Sequence, residues 1–314
     1  MAVFPYNEIK YYSFGLRAGL ASLFKNGLTL GLKKIAGKIL QPINAYTRFP
    51  EYYYFDSAIQ KYLHDVPGDR ELKILDVGSP KTLGLYLAAK TPAALTLTDI
   101  SELNVDEYRI MWRSVESDAK GKAEFSLQDG RALSYADGEF DVVYSMSVIE
   151  HIDGEAGDGQ AVQEMIRVLK PGGLLLLSVP YGSRYVEQKR VGFSGAVRET
   201  NDLQTYFFQR IYDQPAFEKR ILASAAGLEQ ITLTTIWRRN LWIPAILGKI
   251  GTSFRGLLGF MNPLFSAMVN RSRAGMDTAF TVKYGSTHRA GDIYGDMIVA
   301  GRKAVRGKDH QDGK

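Results

Sequence analysis

Five short apolar runs recur through the middle of the chain with helical stretches between them. This alternation constrains the fold more than any other feature. The runs are LKILDV (72–77), ALTLTDI (94–100), AEFSLQD (123–129), EFDVVYSM (139–146) and LLLLSVP (174–180). Each is predicted to be a strand, and the Leu, Ile and Val content of LKILDV predicts burial on both faces there. Helices are predicted at 82–90, closed by Thr91-Pro92, at 102–120, and at 158–169, where Ala161, Met165, Val168 and Leu169 share one face. Lys170-Pro-Gly-Gly stops the last of these, because proline disfavours helix before it and glycine allows a tight turn. A further helix over 55–66 precedes the first strand. A helix at about 213–226 and strands at 228–236 and 296–303 follow.

Strands alternating with helices form a mostly parallel sheet covered on both faces. The expectation is an α/β fold of seven strands. On such sheets ligands bind outside the carboxyl ends of the strands. The acids at strand ends, Asp76, Asp99 and Asp129, are therefore candidates for ligand contact.

Charge is unevenly spread. Residues 9–50 hold Lys10, Arg17, Lys25, Lys33, Lys34, Lys38 and Arg48 and no acid. Residues 230–276 hold Arg238, Arg239, Lys249, Arg255, Arg271 and Arg273, again with no acid. The formal charge of the whole chain is +5, so the body between and around these stretches is net acidic. Neither stretch reads as a membrane span, which needs about 20 consecutive apolar residues. The run 256–270 is uncharged over 15 residues but contains Asn262 and Pro263. Cysteine is absent, which excludes disulfides, thiolate metal sites and cysteine nucleophiles. The four histidines, at 64, 151, 288 and 310, are too widely spaced to suggest a metal site.

The segments ILDVGSP, LTDIS, QDGRALSYADGEFDVVYSMSVIEHI and EMIRVLKPGGLLLLSVP resemble the class I S-adenosylmethionine-dependent methyltransferases, in particular the type 11-like core. The resemblance covers residues 55–236 and the strand at 296–303 and implies a Rossmann-like domain that binds S-adenosylmethionine. It implies that Asp99 accepts hydrogen bonds from both ribose hydroxyls, with Ile100 beside it; the other reading of Asp99 is a cap on the following turn. It implies that Asp129 accepts from the adenine amino group, with Gly130 and Arg131 lending backbone to the ring; the other reading is an Asx-turn residue. Gly78 lets backbone approach the cofactor, Asp76 organises that loop, and Ser145 stands at the end of the fourth strand.

One motif departs from the family. Pro80 and Thr82 stand where the first loop usually has glycines. Pro80 fixes φ and lacks an N–H, so the loop is stiffer. Ser79 and Lys81 are candidates to bind the methionine carboxylate in compensation; Lys81 as a solvated loop lysine is the alternative. The absent G-x-G-x-x-G pattern also argues against a nicotinamide cofactor.

Methyl transfer needs a positioned acceptor and uses a base only where the acceptor must lose a proton. Glu150 and His151 follow the fourth strand, and His151 has the right chemistry for a base; holding the loop is its alternative role. Tyr181 follows the fifth strand as a third catalytic candidate. Arg184, Tyr185 and Glu187 come next and face either the acceptor pocket or solvent. The acceptor is expected to be an oxygen or nitrogen of a small molecule, glycan or lipid-linked intermediate. A non-catalytic binding or scaffold protein is the alternative.

The expected organisation is a basic apolar extension over 1–54, the core over 55–236, an insertion or lid over 237–295, the last core strand at 296–304 and a polar tail at 305–314. The two basic stretches suit burial against the core, a homodimer, or an anionic membrane surface. Their large aliphatic side chains argue against nucleic acid as the partner. A cytoplasmic location is expected, with the inner face of a membrane as the peripheral alternative.

Overall fold

The computed structural model describes residues 10–11, 14–15, 17–18, 49–66, 70–191, 205–237 and 295–305. Helix α1 (Phe49–Asp65) leads into β1 (Lys73–Val77), α2 (Lys81–Lys90), β2 (Ala94–Asp99) and α3 (Glu102–Arg113). Strand β3 (Lys122–Leu127), β4 (Phe140–Met146), α4 (Gly157–Val168) and β5 (Leu169–Tyr181) complete the alternating part. The hairpin strands β6 (Val186–Val191) and β7 (Thr205–Ile211) come next, then α5 (Gln214–Phe217), β8 (Leu228–Trp237) and β9 (Gly295–Lys303).

Seven strands form one sheet in the order β3-β2-β1-β4-β5-β9-β8. Strands β1 to β5 are parallel, and β9 enters antiparallel between β5 and β8. This is the expected seven-stranded, mostly parallel, Rossmann-like α/β sheet. The order reverses beside β1, so the carboxyl ends of β1, β2 and β4 border the crevice where such sheets take ligands.

Alternation along β5 divides the core. Leu174 and Leu176 join a cluster with Tyr52, Phe55 and Ile59 of α1 and Leu83 and Leu87 of α2. Leu175 and Leu177 join the opposite cluster with Ala161, Val162 and Met165 of α4. Each fully buried leucine of this kind is worth about 1.5–3 kcal/mol relative to exposure.

Several boundaries differ from expectation. Helix α1 begins at Phe49, so the anticipated division between residues 54 and 55 falls inside a helix. The described part of the basic 9–50 stretch belongs to the body: Tyr11, Phe14 and Ala18 are buried in the first-face cluster, and Lys10 Nζ donates to Asp56 at 2.6 Å. The remainder of that stretch and the 237–295 insertion lie outside the described residues, save the strand ends Trp237 and Gly295. Helix α3 stops at Arg113 rather than running to 120; Ser114 Oγ bonds back to the Ile110 carbonyl there, a contact that competes with continuing helix. Strand β3 ends at Leu127, leaving Asp129 in a turn. The expected helix at 213–226 is one α-helical turn followed by a π-helical turn at Glu218–Leu222 and a tighter turn at Ala223–Ala225. The β6–β7 hairpin was not expected. Its first strand begins within the segment read as a polar loop or pocket lining after β5. No helix among the described residues is long and apolar enough to cross a membrane.

Candidate cofactor and acceptor site

Strand β1 delivers Asp76 to the middle of the carboxyl edge with 0% of the residue exposed. Its Oδ1 accepts from the Ser79 amide at 2.8 Å and from Lys81 Nζ at 3.1 Å, and its Oδ2 accepts from Tyr144 Oη at 2.9 Å. Asp76 thus organises the loop directly. Burial pushes its carboxyl up, against the pull of these donors. Gly78, next along, has φ +72, a conformation that favours glycine, and a Cβ there would meet Val148 Cγ1 at 2.7 Å.

The polar residues of the altered loop turn inward. Lys81 is buried and also donates to the Ser79 carbonyl at 2.7 Å, so the solvated lysine is overturned. Two of its three ammonium donors serve Asp76 and the loop itself. Ser79 Oγ accepts from the Met146 amide at 2.9 Å, and Ser145 Oγ donates to the Val77 carbonyl at 2.9 Å. Both hydroxyls stitch β1 to β4, since each strand end would otherwise leave backbone groups unpaired.

Asp99 ends β2. Its Oδ1 accepts from the Ser101 amide at 2.9 Å and its Oδ2 from Asn104 Nδ2 at 3.2 Å. It therefore caps the turn into α3, and a carboxylate with about four lone-pair sites keeps capacity for further donors. Around it lie large apolar side chains open to solvent: Ile100 at 53%, Leu103 at 65% and Leu127 at 54% exposure. Leu127 is the register partner of Asp99 across the β2–β3 pair. An exposed apolar shelf beside a carboxylate suits a flat ring attached to a diol.

Asp129 accepts from the Arg131 amide at 2.9 Å and from its Nη2 at 2.7 Å. The Arg131 guanidinium holds the Asp129 carboxyl below its usual range. The Asx turn is thus present. A Cβ on Gly130 would sit 3.3 Å from Val77 Cγ1 and 3.8 Å from Ile152 Cδ1, which brings this turn up against the ends of β1 and the loop after β4.

That loop starts at Ser147, whose φ is +49, and winds into a single turn at Ile149–His151. Glu150 is buried, and its Oε1 lies 3.7 Å from His151 Nε2. His151 Nδ1 lies 2.6 Å from the Phe208 carbonyl of β7. A carbonyl only accepts, so this bond assigns the proton to Nδ1. The imidazole also meets the Phe208 ring edge-on at 5.0 Å, and the Arg190 guanidinium lies 3.2 Å from that ring's centre. His151 is thus held by the unexpected hairpin.

The same hairpin grips the loop's far end. Arg210, 2% exposed, donates to the Ile152 and Gly154 carbonyls, each at 2.6 Å. Asp158 of α4 accepts from Tyr212 Oη and from Arg220 Nε, each at 2.8 Å. Burial, with the Asp158 carboxylate beside it, pushes the Tyr212 hydroxyl up, so it remains a donor at neutral pH. Tyr181 packs edge-on against Phe217 at 6.0 Å and sits at the β5–β9 pairing, a core-facing setting that differs from the loop position expected of it. Tyr185 Oη donates to Glu187 Oε1 at 2.7 Å at the start of β6. Among the described residues no group of three or more His, Asp or Glu is arranged to hold a metal ion.

Tyr144, Asn104, Phe208 and Arg210 were missed from sequence. Their partners lie on other elements or, for Asn104, across a turn, and no local spacing announces them.

Residues 75–177 match the family described as methyltransferase domain. A 2-methyl-6-phytyl-1,4-hydroquinone methyltransferase of Synechocystis sp. is 41% identical over 56 residues, 18% of this chain and 17% of that protein. Methyltransferase GfsG of Streptomyces halstedii is 32% identical over 109 residues, 34% of this chain and 37% of that protein. The chain thus spans well under half the length of these relatives. Among solved structures, phosphoethanolamine N-methyltransferase 2 of Haemonchus contortus in complex with S-adenosyl-L-methionine aligns with a TM-score of 0.46 and 15% identity, over 86% of this chain and 58% of that one.

Proposed function

We propose that this chain, whose residues 75–177 match the methyltransferase-domain family, is an S-adenosylmethionine-dependent methyltransferase that transfers a methyl group to an oxygen or nitrogen of a small molecule, glycan or lipid-linked intermediate. The observation that carries the reading is the strand-end carboxylate Asp99 beside the exposed apolar side chains of Ile100, Leu103 and Leu127, at the carboxyl ends of β2 and β3 next to the reversal of strand order between β1 and β4. When bound, S-adenosylmethionine supplies an electrophilic methyl group on a sulfonium.

The residues divide the work. Asp99 accepts from the ribose hydroxyls with the lone pairs that Ser101 and Asn104 leave. Ile100 and Leu127 would offer apolar surface to the adenine. Gly78 brings backbone close to the sulfonium end, and Asp76 keeps that loop in shape from beneath. The acceptor approaches from the loop 147–154. With a proton on Nδ1, the imidazole of His151 in its neutral form carries its lone pair on Nε2. That nitrogen would take the proton of a hydroxyl acceptor. An amine acceptor that enters neutral needs no base for bond formation.

A second reading is favoured by one observation: Ser79 and Lys81 are both engaged within the protein. A non-catalytic methyltransferase-like binding or scaffold protein would tolerate such a loop. Calorimetry with S-adenosylmethionine and S-adenosylhomocysteine separates the two. Saturable heats from both ligands are expected, and their absence at millimolar ligand would reject the enzyme in favour of the scaffold.

A further inference from the structure

A buried acid outside the methyltransferase motifs stands at the acceptor side. Glu51, in the first turn of α1, is 0% exposed. Its Oε1 accepts from Ser178 Oγ at 2.6 Å and from Ser147 Oγ at 3.0 Å. Those serines sit at the carboxyl-end halves of β5 and just past β4. They also meet each other: the Ser147 amide donates to the Ser178 carbonyl at 3.0 Å and contacts its Oγ at 3.2 Å. Three elements distant in sequence therefore converge on one carboxylate oxygen.

The consequence lies in the backbone. Ser147 holds φ +49, a conformation that costs a side-chain-bearing residue energy and persists only where its surroundings over-determine it. The bond to Glu51 supplies that constraint. Immediately downstream, Val148 packs on the Cα of Gly78 in the cofactor loop, and the turn Ile149–His151 carries Glu150 and His151. Arg210 fixes the loop's other end. Released at Ser147, the chain would relax to negative φ and re-aim everything between.

We propose that Glu51 is a positioning residue of the acceptor site: it locks Ser147 in the left-handed conformation and thereby sets the turn that packs on Gly78 and presents His151. The role in methyl transfer rests on the function proposed above; the anchoring itself does not. Nothing in the apolar core requires a carboxylate here, since burying one is costly unless it is hydrogen-bonded.

The test is native-state amide exchange on the full, ligand-free chain. The amides of Ser147, His151 and Ile152 report the loop, and those of Ala94 and Lys122, bonded at the opposite end of the sheet, report the whole fold. In Glu51→Ala the three loop amides should exchange about tenfold faster while the two reference amides stay unchanged. Glu51→Gln, which keeps an acceptor oxygen, should remain close to wild type. Uniform acceleration of all five amides, or none, overturns the proposal. Should Glu51→Ala fail to fold, Ser147→Ala decides it. That variant removes one donor and leaves Ser178 to satisfy the carboxylate; the same local acceleration is expected, and wild-type exchange overturns it. The link to the cofactor is read separately by calorimetry with S-adenosylhomocysteine, whose affinity should fall several-fold in Ser147→Ala; an unchanged affinity overturns that link. Failure of the wild type to bind removes the methyltransferase reading and leaves the exchange result standing.

Discussion

Lys81 and Asp76 form an ion pair 3.1 Å long with 1% and 0% of their side chains exposed, beneath the loop that the cofactor would cover. Breaking a buried pair by removing one partner leaves the other charge uncompensated, at a cost of about 3–5 kcal/mol. Lys81→Met should lower stability by that amount in urea unfolding. Adding Asp76→Asn should restore a large part of it, because the remaining partner no longer needs a counter-charge. A single-variant loss below about 1 kcal/mol, the range of exposed pairs, would mean that the pair is solvated.

Asp141, at the opposite end of the sheet, supplies a pH dependence. Burial opposes its ionisation, but hydrogen bonds from Arg70, the Lys73 amide and Lys170 outweigh this and hold the carboxyl below its usual range. The folded state therefore binds this proton more weakly than the unfolded state. The stabilisation is fully present above the unfolded value, about 3.9, and is lost as pH falls through the lower folded value. Asp141→Asn should be less stable than wild type at neutral pH, with the difference shrinking below about pH 4. A difference that is constant from pH 7 to pH 3 would exclude Asp141 as a source of acid sensitivity.

The sheet was legible because β1, β4 and the centre of β5 are buried on both faces and leave near-continuous apolar runs, whereas β3 has no fully buried residue; Leu174 to Leu177 serve both clusters in turn. The hairpin was not, because β6 and β7 carry Lys189, Arg190, Gln209 and Arg210 among their apolar residues and show no clean alternation. At the site, strand-end acids could be found from position alone. What they bond could not: Lys81 reaches back to Asp76 across the four residues 77–80, and Asn104 reaches Asp99 across a helix start. Long-range contacts such as His151 with Phe208, or Glu51 with Ser178, have no sequence signal at all.

Asp99 carries two duties that a pair of variants can separate. Asp99→Ala should weaken S-adenosylhomocysteine binding by roughly 1–3 kcal/mol, read by calorimetry, through loss of charged hydrogen bonds. It also loses the bonds to Ser101 and Asn104, so some stability should go with it. Asn104→Ala removes only the second of these. It should cost stability while leaving affinity within about twofold, a change of under 0.5 kcal/mol. Equal affinity losses in both variants would show that Asp99 acts only by ordering the turn.

The contact between Gly78 and Val148 is testable by a double-mutant cycle. Gly78→Ala incurs two penalties: about 1–2 kcal/mol for a Cβ at positive φ, and a clash with Val148 Cγ1 at 2.7 Å. Val148 is β-branched and stiff at χ1, so it cannot swing clear without moving the turn that holds Glu150 and His151. Val148→Ala alone costs the packing of the lost methyl groups. Combining the two removes the clash but not the backbone penalty. The double variant should therefore be more stable than the sum of single losses predicts, by on the order of 1 kcal/mol in urea unfolding. Strict additivity would place Val148 away from Gly78 and detach the acceptor loop from the cofactor loop.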